Sequence, residues 1–265
     1  MKKNLILFLT IVFVTMMLNV LSVKAEQAKK PKKPYTEREF STLTSDNQII
    51  KSYLSYPKTK QKGYPTIIML HSIGYNSSYW IPLQQKFNKK GFAVLRVDLR
   101  GHGKSVYSKT FHQRSWRSYK NDTFAKYPDD IIAIIKSIKK ETKKANFNNY
   151  AIIGGDIGAN TAVLVAKKLQ VKPKALVLLS PSMTFKSLYI PVALTEIGTT
   201  PILALASKTD VYAIKEQEKL VKFAQGTFDV CNVESGSGGM LLLKHHPEIL
   251  DTILNWTIQY FKNQN

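Results

Sequence analysis

One pentapeptide in this chain has the spacing of a catalytic turn but an unusual residue at its centre. Gly154-Gly155-Asp156-Ile157-Gly158 follows the apolar run 150–153 and precedes a run of helix-forming residues, 159–164. A strand, a tight turn and a helix in this order form the frame of a nucleophile elbow, G-x-S-x-G, which exposes a serine hydroxyl on a strained turn. Asp156 stands where that serine is expected. The frame therefore predicts a fold, whereas the aspartate leaves the chemistry open.

The elements around this turn alternate between short apolar strands and amphipathic helices. Strands are predicted at 40–43, 49–56, 66–70, 92–97, 150–153, 175–179, 202–206 and 227–233, and helices over 80–90, 128–140, 157–169, 213–224 and 247–261. Such alternation predicts an α/β fold with a mostly parallel central sheet and helices on both faces. We expect one domain over residues 40–265.

Three further segments occur in a fixed order around the elbow. Residues 70–74 read Leu-His-Ser-Ile-Gly, residues 98–105 read Asp-Leu-Arg-Gly-His-Gly-Lys-Ser, and residues 207–210 read Ser-Lys-Thr-Asp. With these motifs the chain resembles the α/β-hydrolase family over about residues 40–263, and small bacterial serine esterases and dienelactone-hydrolase-like proteins in particular. The resemblance implies the α/β-hydrolase fold. Only residues 180–200 separate two of the predicted strands, so no large cap domain is expected.

The resemblance also implies roles for individual residues. Asp156 and Asp210 are expected at the nucleophile and acid positions of a catalytic triad. The backbone N–H groups of Ile73 and Ile157 are expected to form the oxyanion hole. His71 and Ser72 directly precede Ile73 and are candidates for the pocket wall. No metal site and no cofactor are expected.

The histidine of the triad is the second position that differs from the family. The family places it in a glycine-rich loop after the last strand, shortly before His-Pro-Glu. When residues 235–248 are aligned on His246-Pro247-Glu248, Gly238 takes the position of the histidine. Loss of both the serine and the histidine predicts a dismantled triad, and therefore a pseudoenzyme that acts by binding a ligand.

Asp156 has a second interpretation, as an active nucleophile. Haloalkane dehalogenases and epoxide hydrolases form an alkyl ester on such an aspartate and need a histidine to activate the water that hydrolyses it. His71 or His245 would have to supply that histidine here. A working hydrolase acting on an ester, an epoxide or a haloalkane is therefore the alternative hypothesis.

The N-terminal region predicts export. Lys2 and Lys3 precede an apolar stretch, 5–21, and Val23-Lys24-Ala25 has small residues at the positions that signal peptidase requires. We interpret residues 1–25 as a signal peptide, with an uncleaved membrane anchor as the alternative. Residues 26–39 are predicted to be a basic Pro/Lys linker. The expected location is periplasmic or extracellular.

The positive charge limits the choice of partners. The formal net charge is +21, and it remains +18 without residues 1–25, which contain three lysines and no acidic residue. Basic residues are not interleaved with aromatic ones, so nucleic acid binding is not expected. The expected partners are a small-molecule ligand or ester-like substrate and, as a third hypothesis, an anionic envelope surface. The sequence predicts no oligomeric state.

Overall fold

A mostly parallel eight-stranded sheet runs through residues 34–262, the part of the chain that the computed structural model describes. Its strands, with one separate hairpin, are β1 (Tyr35–Leu43), β2 (Ile49–Pro57), β3 (Tyr64–Leu70), β4 (Ala93–Val97), β5 (Ala145–Gly155), β6 (Leu176–Leu179), β7 (Thr184–Phe185), β8 (Leu188–Tyr189), β9 (Ile202–Leu205) and β10 (Phe228–Val230). The sheet order is β1-β2-β4-β3-β5-β6-β9-β10, and β7 pairs only with β8. All pairings from β4 to β10 are parallel, whereas β1–β2 and β2–β4 are antiparallel. The predicted sheet is confirmed.

Helices cover both faces of this sheet, as predicted. They are α1 (Ile81–Lys89), α2 (Asn121–Phe124), α3 (Tyr127–Glu141), α4 (Ile157–Lys168), α5 (Pro191–Glu196), α6 (Val211–Leu220), α7 (Met240–His245) and α8 (Ile249–Lys262). Alternate residues of β3 point to opposite faces: Ile67 and Met69 join the core under α1 and α8, and Ile68 and Leu70 join the core under α3 and α4. Because both faces are buried, the central strands are continuously apolar in the sequence.

The first strand begins earlier than the sequence pattern predicts. It starts at Tyr35 rather than at Phe40, so residues 35–39 belong to the sheet and not to the predicted linker. β1 is an edge strand, and its first residues do not alternate between apolar and polar types. Its charged residues make ion pairs instead: Arg38 contacts Glu141 at 2.7 Å, and Glu37 contacts Arg96 at 2.7 Å. The predicted signal peptide and the linker up to residue 33 lie outside the described residues. Within residues 34–262, no helix has the length and apolarity needed to cross a bilayer.

The segment 98–105 has a structural role. The Asp98 carboxylate accepts hydrogen bonds from the backbone N–H groups of Ser77 and Lys104, each at 2.8 Å. The Arg100 guanidinium donates to both carboxylate oxygens of Asp130 at 2.5 and 2.8 Å. These bonds fix the loop after β4 to the start of α3, so they position elements of the fold rather than a substrate.

A short segment replaces a cap domain between β6 and β9. It contains only the β7–β8 hairpin and α5, and Leu188, Ile190 and Leu194 bury their side chains in the core under α4. Asn160 of α4 is fully buried and holds this segment in place. Its Nδ2 donates to the carbonyls of Ser182 and Leu188, both at 2.8 Å.

Candidate active site

The strand–turn–helix frame around Asp156 is intact. β5 ends at Gly155, α4 begins at Ile157, and Asp156 between them has φ 45° and ψ −112°, a conformation that costs energy in a residue with a side chain. A Cβ atom on Gly154 would overlap the carbonyl of Gly158, and one on Gly158 would overlap the carbonyl of Leu70. Both glycines are therefore required by the close approach of α4 to the end of β3.

A glycine-rich segment lies directly over the Asp156 carboxyl group. A Cβ atom on Gly239, which has φ 58°, would overlap both Asp156 Oδ2 and Ser72 Oγ. Two hydrogen bonds hold the segment down: the Gly239 N–H donates to Ser180 Oγ at 2.9 Å, and the Met240 N–H donates to Ser72 Oγ at 2.9 Å. The backbone of Gly239 thus fills the space beside the carboxyl group.

This enclosure changes the acidity of Asp156. Burial raises the pKa of its carboxyl group to about 6. The negative charge of Asp210 raises this pKa further, and a hydrogen bond from the Ser72 side chain partly offsets the rise. The carboxyl group of Asp156 therefore takes up its proton near pH 6, well above its ordinary range, and is mostly ionised at neutral pH.

The second acidic residue lies next to the position where the family has a histidine. Asp210 caps the N-terminus of α6, where its Oδ1 accepts a hydrogen bond from the Ala213 N–H at 3.0 Å. A Cβ atom on Gly238 would lie 2.9 Å from Asp210 Oδ2 and 2.7 Å from Ser180 Oγ. A side chain at position 238 would therefore overlap Asp210 and Ser180 unless those side chains shifted. Asp156, Asp210 and Gly238 thus lie near one another at this end of the sheet.

His71 is engaged by the backbone on both sides of its ring. It is fully buried, its Nε2 accepts a hydrogen bond from the Leu99 N–H at 2.9 Å, and its Nδ1 lies 2.8 Å from the Ser72 carbonyl. Because Nε2 accepts, Nδ1 must carry the proton and donate. Burial lowers the pKa of the ring to about 4. His71 thus positions the loop that carries Ser72, and neither of its nitrogens is available as a base.

The four other histidines also make no hydrogen bond to Asp156; they are His102, His112, His245 and His246, all within the described residues. The Nδ1 of His102 bonds the Arg100 carbonyl at 3.0 Å, and its ring stacks on Trp116. His246 bonds the Ser235 carbonyl and the Glu248 carboxylate at 2.6 and 2.9 Å. His245 ends α7 with an exposed side chain.

The two expected oxyanion donors directly follow the two residues that contact each other at the elbow: Ile73 follows Ser72, and Ile157 follows Asp156. Ile157 is the first residue of α4, so its N–H is one of the groups that a helix leaves unpaired. Ile73 follows Ser72 in a turn closed by a hydrogen bond from the Tyr75 N–H to the Ser72 carbonyl at 3.2 Å. Neither N–H has an acceptor within residues 34–262.

Sequence reasoning missed Ser180, Gly239 and Met240. Ser180 has φ 50° and follows β6, where no motif marks it. Gly239 could have been found, because two adjacent glycines often mark a close approach of the backbone. Met240 begins α7, a short helix that was not among the helices predicted from the sequence.

A mostly apolar cavity of about 380 Å³ lies on the other side of Met240. Met240 lines this cavity and also packs beside Gly155 of the elbow. The remaining lining residues are Ser78, Tyr79, Pro82, Leu243, Lys244 and Leu250. Of these, Lys244 is exposed and has no ion pair within residues 34–262.

Comparison with known proteins identifies the family of the chain. The family described as serine aminopeptidase, S33, matches residues 61–225, more than half of the chain, a range that includes Asp156 and Asp210 and ends before Gly238. No curated protein matches the chain at the sequence level.

Solved structures with the same fold include an esterase from Pyrococcus furiosus, with 15% identity, a TM-score of 0.67, and coverage of 85% of this chain and 91% of that one. Est1E from Butyrivibrio proteoclasticus, solved with ferulic acid bound, has 17% identity, a TM-score of 0.66, and coverage of 84% and 99%. A dienelactone hydrolase from Anabaena variabilis has 15% identity, a TM-score of 0.65, and coverage of 86% and 98%. At these identities the likeness shows the fold alone.

Proposed function

We propose that this chain, which belongs to the serine aminopeptidase S33 family of α/β hydrolases, binds a small ligand without hydrolysing it. The observation that carries the proposal is the backbone of Gly239, which lies against the carboxyl group of Asp156. The preceding residue, Gly238, has the position that the sequence alignment gives to the catalytic histidine. Acyl transfer at an elbow needs a nucleophile and a base that accepts its proton. At this elbow the serine is replaced, and none of the five histidines bonds to its replacement.

Hydrolysis through an aspartyl ester is disfavoured by the same contacts. An alkyl ester on Asp156 would require a histidine to activate water. Both ring nitrogens of His71 are engaged by backbone groups, and His245 is exposed at the end of α7. The backbone of Gly239 also restricts the approach of a substrate carbon to Asp156 Oδ2.

The cavity beside Met240 is the place we assign to the ligand. Its apolar lining and the unpaired ammonium group of Lys244 suit a small molecule with an apolar body and one anionic group. Est1E, a structural neighbour, was solved with ferulic acid, a ligand of this chemical class. Together with the signal peptide proposed for residues 1–25, this role describes an exported binding protein that acts outside the cytoplasm.

Turnover assays test the catalytic half of the proposal. Purified protein is incubated with short-chain aryl esters, epoxides and haloalkanes, and the product is compared with that of Asp156→Asn and of a control, Asp122→Asn in α2. We expect no product above the buffer rate for any of the three proteins. Turnover that Asp156→Asn abolishes and Asp122→Asn retains would overturn the proposal.

Binding of octanoate, followed by titration calorimetry, tests the ligand site. We expect Lys244→Gln to weaken binding about two- to fivefold, because an exposed ion pair contributes modestly. Lys215→Gln on α6 should leave binding unchanged. If octanoate does not bind, or if both variants bind as the wild type does, the cavity is not the ligand site.

A further inference from the structure

A dense group of lysines lies at the end of the sheet opposite to Asp156. We call it the lysine face; its members are Lys58, Lys60, Lys62, Lys139, Lys140, Lys143 and Lys144. They occupy the segments that lead into β3 and β5, whereas Asp156 follows the other end of β5. Since β5 runs from Ala145 to Gly155, roughly 30 Å of strand separates this face from the elbow.

Backbone contacts hold the two segments of the lysine face together. The N–H groups of Gly63 and Tyr64 donate to the carbonyls of Lys143 and Lys144 at 2.8 and 2.9 Å. The Lys144 ammonium group donates to the carbonyls of Thr59 and Gln61 at 3.0 and 2.8 Å. The loop 58–63 and the segment 139–144 therefore form one continuous surface.

The charge of this surface is not neutralised within the described residues. Glu141 is the only acidic residue in 58–63 and 139–148, and it pairs with Arg38 at 2.7 Å. All members of the lysine face except Lys144 are exposed, and none has an ion pair. Lys139 and Lys140 lie in the last turn of α3, where their positive charges stabilise the helix by interacting with its dipole. The three lysines of the loop 58–63 have no such structural role, because they are not in a helix.

The lysine face is concave. A cavity of about 360 Å³ opens between Lys139 and Lys143, and the amide-bearing residues Asn146 and Asn148 also line it. Ammonium groups and side-chain amides are the donors that bind phosphate oxygens. A phosphate-bearing headgroup therefore matches the cavity in both charge and hydrogen bonding.

The chain that precedes the described residues joins the protein at this face. Tyr35 pairs with Pro57 in the β1–β2 register, which places the start of β1 beside Lys58. The preceding sequence contains Lys29, Lys30, Lys32 and Lys33, and before them the apolar stretch 5–21. As a signal peptide or as an anchor, that stretch is the part of the chain expected to enter the membrane.

We infer that the lysine face docks on the anionic phospholipid surface of the membrane across which the protein is exported. Clustered lysines next to a membrane-directed segment bind acidic lipids electrostatically. In this orientation the elbow and the cavity beside Met240 point away from the bilayer. The inference goes beyond the proposed ligand-binding function, because it concerns a different surface and holds whether or not the cavity binds a ligand.

Vesicle cosedimentation tests this inference on the chain from Glu26 onward, the form expected after signal cleavage, which contains the whole compact unit 35–265. We expect binding to vesicles that contain phosphatidylglycerol and none to pure phosphatidylcholine. Binding should fall at least about tenfold between about 0.05 and 0.5 M salt, because the screening length shortens.

The test variant replaces lysines of the face by glutamine: Lys58→Gln, Lys60→Gln, Lys62→Gln and Lys143→Gln. The matched control makes the same change at exposed lysines elsewhere: Lys109→Gln, Lys120→Gln, Lys215→Gln and Lys222→Gln.

The two variants have the same net charge, so their comparison isolates the face. We expect the test variant to bind anionic vesicles at least about tenfold more weakly and the control to stay within about twofold of wild type. Equal loss in both variants would overturn the inference, since net charge alone would then explain binding. Absence of binding to anionic vesicles, or binding only to purified anionic wall polymer, would also overturn it. Circular dichroism of both variants excludes misfolding as the cause.

Discussion

At the scale of single residues, the side chain at position 156 determines what the elbow can do. A serine hydroxyl is neutral and needs a base, whereas a carboxyl group must be ionised to act as a nucleophile. Burial and the charge of Asp210 raise the pKa of Asp156 to about 6, so the enclosure disfavours the ionised form. Gly239 also restricts access to the carboxyl group, because it lies against Oδ2.

This raised pKa predicts a pH-dependent effect of Asp156→Asn on stability. In the unfolded chain the carboxyl group ionises near 3.8, so as pH rises from 4 through 6 the wild type loses stability that the variant keeps. We expect Asp156→Asn to be more stable by about 1–3 kcal/mol at pH 7–8, and the two proteins to be equal near pH 4. Urea unfolding over this pH range measures the difference. A difference independent of pH would contradict an enclosed, destabilised carboxylate.

The contact of Gly239 with Asp156 predicts a large cost for Gly239→Ala. The new Cβ atom would overlap Asp156 Oδ2 in addition to straining a positive φ, and we expect a loss of at least about 3 kcal/mol in the free energy of unfolding. Gly198→Ala is the matched control, because Gly198 has φ 61° with no atom near its Cβ position, and it should cost about 1 kcal/mol. Asp156→Ala should relieve part of the cost of Gly239→Ala. If Gly198→Ala and Gly239→Ala lower the free energy of unfolding equally, backbone strain at positive φ explains both losses and the contact with Asp156 contributes nothing.

At the scale of elements, the site depends on which segments cover the carboxyl ends of the strands. The segment after β6 is fixed to α4 by Asn160, and the segment 238–240 is fixed by Ser180 and Ser72. Both lie at the carboxyl ends of the parallel strands, next to the elbow. The closed elbow is thus a consequence of loop placement as much as of the residue at 156.

Asn160→Ala should release the segment after β6. Two buried carbonyl groups, of Ser182 and Leu188, would lose their donor, and we expect a loss of about 2–4 kcal/mol. Limited proteolysis should then cut within residues 181–199. Thr161→Ala, which removes a hydroxyl that bonds only to the Ile157 carbonyl of the same helix, is the control and should not increase cleavage there. Unchanged cleavage in Asn160→Ala would contradict the role of this side chain.

Elements with a local signal could be predicted from the sequence, and contacts between distant loops could not. The elbow is defined by Gly154 and Gly158, and the buried strands by their continuous apolar runs. The start of β1 was missed because its charged residues find partners far away in the chain, such as Glu141 for Arg38. The closure of Gly239 on Asp156 and the capture of its N–H by Ser180 are also long-range contacts, which no local pattern encodes.

At the scale of the whole molecule, the two ends of the parallel sheet differ in chemistry. The carboxyl end holds Asp156, whose pKa is raised to about 6, and Asp210, which caps α6. The amino end holds the lysine face, where the chain from the N-terminal region enters. An exported protein with this arrangement would present its ligand cavity away from an anionic membrane. Neither the ligand cavity nor the lysine face requires turnover at the elbow, and we expect none.

The most direct test of that claim is the rate of 4-nitrophenyl acetate hydrolysis by wild type, Asp156→Asn and the double variant Asp156→Ser with Gly238→His, measured in one assay at neutral pH. A histidine at position 238 would lie next to Asp210, the residue that orients the histidine in a triad, once the side chains of Asp210 and Ser180 shift to admit its Cβ atom. We predict that wild type and Asp156→Asn both match the buffer rate and that only the double variant exceeds it. Hydrolysis by the wild type that is lost in Asp156→Asn would contradict the account.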